Sequence, residues 1–350
     1  MNFCKLDDYK VAVRFFPVVD KRFSGKAYSS LRQKDEAGKE TMSFAAISDV
    51  FVNNLLPILL TTGAGFALGR TLHPDIKTAS RLTFYIFSPC LVFVSLAHVK
   101  ITGGEFGKLA LFTLSVSAIM AILSLLCGRV LGLERQLMAS LVVASVFVNS
   151  GNYGLAANKF SFGDAALARA MVCFVFSTIT LYSAGVLIAS MGKLPPAQAL
   201  RNLLKVPAVY GLIAAGIVRE TGWPVPLFLD RSVTLLSDAA IPLMLVILGL
   251  QMAGARKWPR NRVALIGTAG VLQLVATPLV AILMAHWIGL SGVARQAAIL
   301  QAAMPAAVVT TILAVEYDLD IPLVTGTVVL TTLLSPLTLT PLITYLLHSA

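Results

Sequence analysis

Asn149-Ser150-Gly151-Asn152-Tyr153-Gly154 falls inside an apolar run that is otherwise long enough to cross a bilayer, and the reading of these six residues decides the fold. Glycine lowers helix propensity and Asn competes for backbone hydrogen bonds. A peptide group left unpaired in hydrocarbon costs several kcal/mol, so such a stretch survives only where protein or water covers it. It therefore marks a broken helix beside a cavity. A second break, Gln301-Ala302-Ala303-Met304-Pro305, lies about half a chain later. Two broken helices in corresponding positions of two halves point to a solute-binding site at mid-membrane.

The composition around these breaks is that of an integral membrane protein. Of the 350 residues, 57% are hydrophobic and 13% charged, with mean hydropathy +0.81; a soluble domain carries about 25% charged residues. The net charge of +11 sits in short segments between apolar runs, which fits membrane flanks and argues against nucleic acid as a partner. Cys4, Cys90, Cys127 and Cys173 are far apart, three of them within apolar runs, so neither a disulfide framework nor a metal pair follows.

Residues 1–50 read as a polar N-terminal tail; 1–41 hold nine Lys or Arg and lack the apolar core of a secretory signal. Ten apolar segments follow, at about 51–70, 80–98, 106–132, 137–158, 165–191, 203–219, 231–253, 263–289, 294–315 and 322–347. The widest polar gap, with Pro195-Pro196, separates a first unit, 51–192, from a second, 203–347, through a linker at 193–202. Pro57 and Pro207, Pro89 and Pro242, Gly132 and Gly289, Asn149 and Pro305, and Asp164 and Asp320 recur in order at nearly constant separation. That pattern predicts a duplicated unit. Each unit has an odd number of spans, so the second copy enters the membrane from the other side.

The expected fold is thus an all-α polytopic membrane protein of ten transmembrane helices, arranged as two inverted five-helix repeats with helices 4 and 9 broken. Counted with their flanks, the loops after segments 1, 3, 5, 7 and 9 carry twelve Lys and Arg against seven for the others. The positive-inside rule puts the first set in the cytoplasm and both termini outside.

Catalytic patterns are missing: there is no HExxH, no GxSxG, no phosphate loop and no carboxylate pair within a span. The chain is read as a non-enzyme without a cofactor or metal. His73, His98, His286 and His348 all fall near segment ends, where interfacial solvation accounts for them. The informative groups are the intramembrane amides Asn149, Asn152, Gln251, Gln273 and Gln301, which offer N–H donors suited to a carboxylate. Half-helix N-termini at the breaks favour an anion without a fixed cation. The predicted substrate site comprises Asn149, Gly151, Asn152, Gly154, Gln301, Met304 and Pro305. Asp238 is the one acid placed to carry a coupling proton or cation. Prolines 57, 89, 207 and 242 are read as kinks.

These residues resemble the auxin efflux carrier family over about 50–347. The resemblance is carried by Gln301-Ala302-Ala303-Met304-Pro305 through Ala314-Val315-Glu316-Tyr317-Asp318, by Pro89-Cys90-Leu91-Val92-Phe93, and by Asn149 and Gly154 in segment four. It implies a scaffold and a transport domain, crossed helices 4 and 9, substrate beside the crossing at Asn149 and Pro305, an elevator-like shift and a homodimer. Val148 stands where the family has a proline, and Ala156 and Thr310 replace crossing prolines of plant members. The function expected is secondary transport of a small organic acid anion, such as malonate, malate or an auxin-like carboxylate, across the cytoplasmic membrane. No convincing buried carboxylate is present, which favours movement without a coupled ion. An anion channel and a non-transporting sensor are the alternatives from other classes.

Overall fold

The computed structural model describes residues 44–97, 99, 101–191, 204, 206–254 and 259–349; the tail 1–41, the linker 193–202 and His98 lie outside them. Among the described residues seven helices are long and apolar enough to cross a membrane. We label them α1 (Ile47–Thr71), α2 (Ile76–Ala97), α3 (Gly103–Val130), α5 (Asp164–Ala189), α7 (Leu227–Ala253), α8 (Arg260–Ile288) and α10 (Ile321–His348). Between them lie the shorter α6 (Pro207–Thr221) and two pairs of half-length helices. The first pair is α4a (Arg135–Val146) and α4b (Leu155–Phe162), the latter entered through a wide π-turn, Ser150–Gly154. The second is α9a (Gly292–Ala302) and α9b (Val309–Glu316). Among the described residues the only β-type pairing is a single bridge between Val148 and Ala306.

Local chemistry sets the helix boundaries. Asp75 caps α2, its carboxylate accepting from the backbone N–H groups of Lys77 and Thr78. The Thr78 hydroxyl, followed by the Lys77 N–H, holds that carboxyl below its ordinary pKa. Gly132 ends α3 and Gly289 ends α8, both at positive φ, where a side chain would be strained.

The prolines behave in two ways. Pro57, Pro89 and Pro278 each follow by two residues a one-turn π-helix (Phe51–Leu55, Thr83–Phe87, Leu272–Ala276). The wider turn makes room for a ring that would otherwise strike the preceding turn. Pro207 departs from the expected kink: it is the first residue of α6, where the missing N–H has no intrahelical partner to lose.

The helices associate in two groups. α1 packs along α7, and α2 against α6 and α7. α3 packs on α4a, α5, α8 and α9a, while α10 packs on α4a, α8 and α9b. Within the first group, backbones touch. A Cβ at Gly249 would lie 2.0 Å from the Thr62 carbonyl oxygen, and one at Gly65 would lie 2.2 Å from that of Val246. Small residues at such crossings replace the hydrophobic drive that lipid cannot supply.

Gly249→Ala is expected to destabilise the protein by about 3 kcal/mol, because backbone atoms cannot yield to the new methyl group. Gly63→Ala, with open space around the same test position, is expected to leave the melting temperature in detergent unchanged or slightly raised. Thermal unfolding of the two variants checks both outcomes.

Candidate functional site

The two interrupted helices meet at their interruptions. α4a ends at Val146, Phe147 turns to extended backbone (φ −93°, ψ 113°), and the chain re-enters helix after Asn149 (φ −75°, ψ 61°). The second interruption occupies 303–308. Here the Asn149 N–H donates to the Pro305 carbonyl at 2.7 Å and the Ala307 N–H donates to the Phe147 carbonyl at 2.8 Å. Each break thus satisfies part of the other's backbone, which is the condition for irregular chain at membrane depth.

Both breaks differ from the positions read in the sequence. The first is centred near Val148 rather than in 149–154, since Ser150–Gly154 is already helical, though wide. In the second, Gln301 and Ala302 still belong to α9a. The physical reason is that the bridge between Val148 and Ala306 fixes the centre of the crossing, and the glycines serve the turn beside it.

A polar frame holds this crossing. Gln301 is buried, its Nε2 donating to the Ser150 carbonyl at 2.8 Å and its Oε1 accepting from Asn158 Nδ2 at 2.8 Å. Asn158 Nδ2 also donates to the Gly154 carbonyl at 2.9 Å. Gln273 of α8, fully buried, donates through Nε2 to the Met304 carbonyl at 2.9 Å. From α10, the Thr331 hydroxyl accepts the Ala306 N–H at 3.1 Å. Gly154 fits because it has no side chain: a Cβ there would lie 2.6 Å from Gln301 Oε1 and 3.0 Å from Met304 Cγ.

What the frame leaves unpaired defines the chemistry. Asn149 is buried, and its Nδ2 has no hydrogen-bond partner. At the start of the wide turn the N–H groups of Gly151, Asn152 and Tyr153 have no acceptor among the described residues. The half-buried Asn152 side chain likewise has none. A buried donor without a partner costs about 1–3 kcal/mol, so these groups hold a capacity the protein itself does not use. The frame also leaves two acceptors open, Asn158 Oδ1 and Gln273 Oε1, but the free donors gather at the positive end of a helix, which suits an anion.

Of the predicted site residues, Asn149, Gly151, Asn152, Gly154, Gln301, Met304 and Pro305 all lie at this crossing. Gln301 is a brace, since both ends of its amide are occupied. Asp238 is not brought there. It is exposed, on the wall of a cavity of about 480 Å³ between α2, α7 and the hairpin joining α4b to α5. Lys159 and Asp164 share that cavity and lie 3.9 Å apart. Arg169 instead pairs with Glu105 of α3 at 2.5 Å.

Asn158 and Thr331 are not among the site residues expected from the sequence. Asn158 lies four residues after Gly154, on the same helical face, and that spacing was the available signal; Thr331 sits among many threonines of α10 and carried none. Gly154→Ala is expected to lower stability by about 2 kcal/mol through the contact with Gln301. Asn158→Leu is expected to lose a similar amount by leaving Gln301 Oε1 buried and unpaired. Thermal melts of both variants provide the check.

Residues 50–343 match the model of a protein family described as membrane transport protein. An uncharacterized transporter of Methanothermobacter thermautotrophicus is 26% identical over 285 residues, covering 80% of this chain and 93% of that protein. An uncharacterized transporter of Methanocaldococcus jannaschii is 26% identical over 269 residues, covering 74% of this chain and 86% of its own length. Auxin efflux carrier component 8 of Arabidopsis thaliana is 33% identical over 126 residues, which is 35% of this chain and 34% of that protein.

Proposed function

This chain belongs to the membrane transport protein family, that of the auxin efflux carriers, and from that premise we propose that it is a secondary carrier of a small organic acid anion. The observation that carries the proposal is the unpaired Asn149 amide beside the free N–H groups of Gly151 to Tyr153. A carboxylate placed there would accept from all of them. Gln301, Gln273 and Asn158 position the donors, Gly154 admits the close approach, and Met304 and Pro305 present the other strand of the crossing.

The finer architecture we propose is ten transmembrane helices in two inverted repeats, α1–α5 and α6–α10. Paired features support it. Glu105 at the start of α3 binds Arg169 near the start of α5, while Arg262 at the start of α8 binds Asp320, the N-cap of α10, at 2.7 Å. The two ion pairs occupy equivalent places with their charges exchanged. The terminal glycines of α3 and α8 share a left-handed conformation as well.

The two helix groups supply the moving and fixed bodies. α1, α2, α6 and α7 form a scaffold locked by backbone contact, and the remaining helices carry the crossing. α7 packs against the wide turn, and none of the crossing residues lines the cavity beside Asp238. In this conformation the donors are therefore shut away from that cavity, which serves as the vestibule on one side. Sliding the second group along the scaffold would open the crossing to each side in turn. By the distribution of loop charge the vestibule faces outward from the cytoplasmic membrane, and pairing through the scaffold would give a homodimer.

A thermal-shift panel of dicarboxylates and indole carboxylates on purified protein tests the assignment. A ligand at 100 times its Kd is expected to add about 2.7 kcal/mol to the wild type. Asn149→Ala is expected to lose most of that increment while melting normally without ligand. An equal response in both proteins would remove Asn149 from the site.

A further inference from the structure

A second void lies at the crossing, bordered by α3, α5 and α8 and sharing no lining residue with the vestibule. Its volume is about 20 Å³, room for one water-sized species. Thr113 and Ser117 of α3, Ser150 of the wide turn, Ser177 of α5 and Thr277 of α8 line it. Three of those hydroxyls have already committed their protons within their own helices. Thr113 donates to the Leu109 carbonyl at 2.9 Å, Ser117 to the Thr113 carbonyl at 2.9 Å, and Thr277 to the Leu272 carbonyl at 3.0 Å. What these three have left to offer is oxygen lone pairs, and the Cys173 thiol borders the void beside them. Ser150 is buried at 6% exposure, and neither its hydroxyl nor that of Ser177 has a partner among the described residues.

Helix ends give the void its sign. Val146, the last residue of α4a, and Ala302, the last of α9a, both line it. The C-terminal ends of two half-helices thus border it, against one N-terminal end, that of the wide turn at Ser150. The balance is negative. No acidic side chain lines the void, so nothing would compensate a divalent ion, which is ordinarily held by carboxylates. Neutral oxygens and carbonyl dipoles in a space this small match one desolvated, hard, monovalent cation.

We propose that this void is a sodium-binding site. Ser150 joins it directly to the anion site, because the Ser150 carbonyl is held by Gln301 and the donors of Gly151 to Tyr153 follow in the same turn. A cation on one side of the turn and a carboxylate on the other would stabilise each other across it. Binding of sodium stands by itself; its role in coupling rests on the carrier reading above. It replaces the expectation of an uncoupled carrier, which followed from the want of a buried carboxylate, since neutral oxygens suffice here.

The test is thermal unfolding of the purified full chain in sodium, potassium or choline chloride at constant ionic strength, without organic acid. Sodium is expected to raise the melting temperature saturably, and choline to leave it unchanged. In Ser177→Ala/Thr277→Val the half-saturating sodium concentration is expected to rise at least tenfold, with the melting temperature in choline near that of wild type. Asn149→Ala is expected to keep the sodium response while losing the response to acid, so the two sites fail separately. Equal melting of the wild type in sodium and choline would show that the void holds water only and would overturn the proposal. A double variant that responds to sodium as the wild type does would overturn it too.

Discussion

Two backbone hydrogen bonds hold the centre of this molecule: Asn149 N–H to Pro305 carbonyl, and Ala307 N–H to Phe147 carbonyl. Each uses a peptide group that its own helix has abandoned. Without the partner chain those groups would be orphaned in a low-dielectric interior, at about 1–3 kcal/mol apiece. The constraint works in both directions, for it permits the breaks and also forces them to meet. Every other feature of the site follows from that meeting, including the glycine at 154 and the amide brace at 301.

Such a crossing creates four half-helix ends near the middle of the protein, and the ends differ in sign. The C-terminal residues of α4a and α9a border the small void, while the start of the wide turn holds the unpaired donors of Asn149 and its neighbours. Fixed partial charges are therefore separated within a few residues without any ionised side chain at the crossing. Charged residues are used elsewhere. Glu105 with Arg169 and Arg262 with Asp320 tie helix ends together, where partial exposure lowers their desolvation cost.

Much of this was legible in the residues. Apolar runs separated by short polar flanks locate the long helices to within a few residues, because a bilayer fixes both length and composition. Paired Asn and Gly in a span announce the breaks, because their cost in lipid has few explanations. The centre of each break was less legible: Val148 and Ala306 are ordinary apolar residues, and only their pairing across some 160 residues of chain makes them the bridge. Asn158 was hidden for the same reason, since its partner Gln301 is distant in sequence. Asp238 stood out by charge alone, and charge does not say which wall of the protein a helix turns inward.

An organic acid bound beside the wide turn at 150–154 is the central proposal for this molecule. Anomalous X-ray scattering from crystals of the protein with a bromine-substituted carboxylate, chosen from the acids that stabilise it, measures this directly. A bromine peak is expected between that turn and α7, with the carboxylate within hydrogen-bonding distance of Asn149 Nδ2. A bromine peak confined to the cavity beside Asp238, or to the lipid-facing surface, would contradict it.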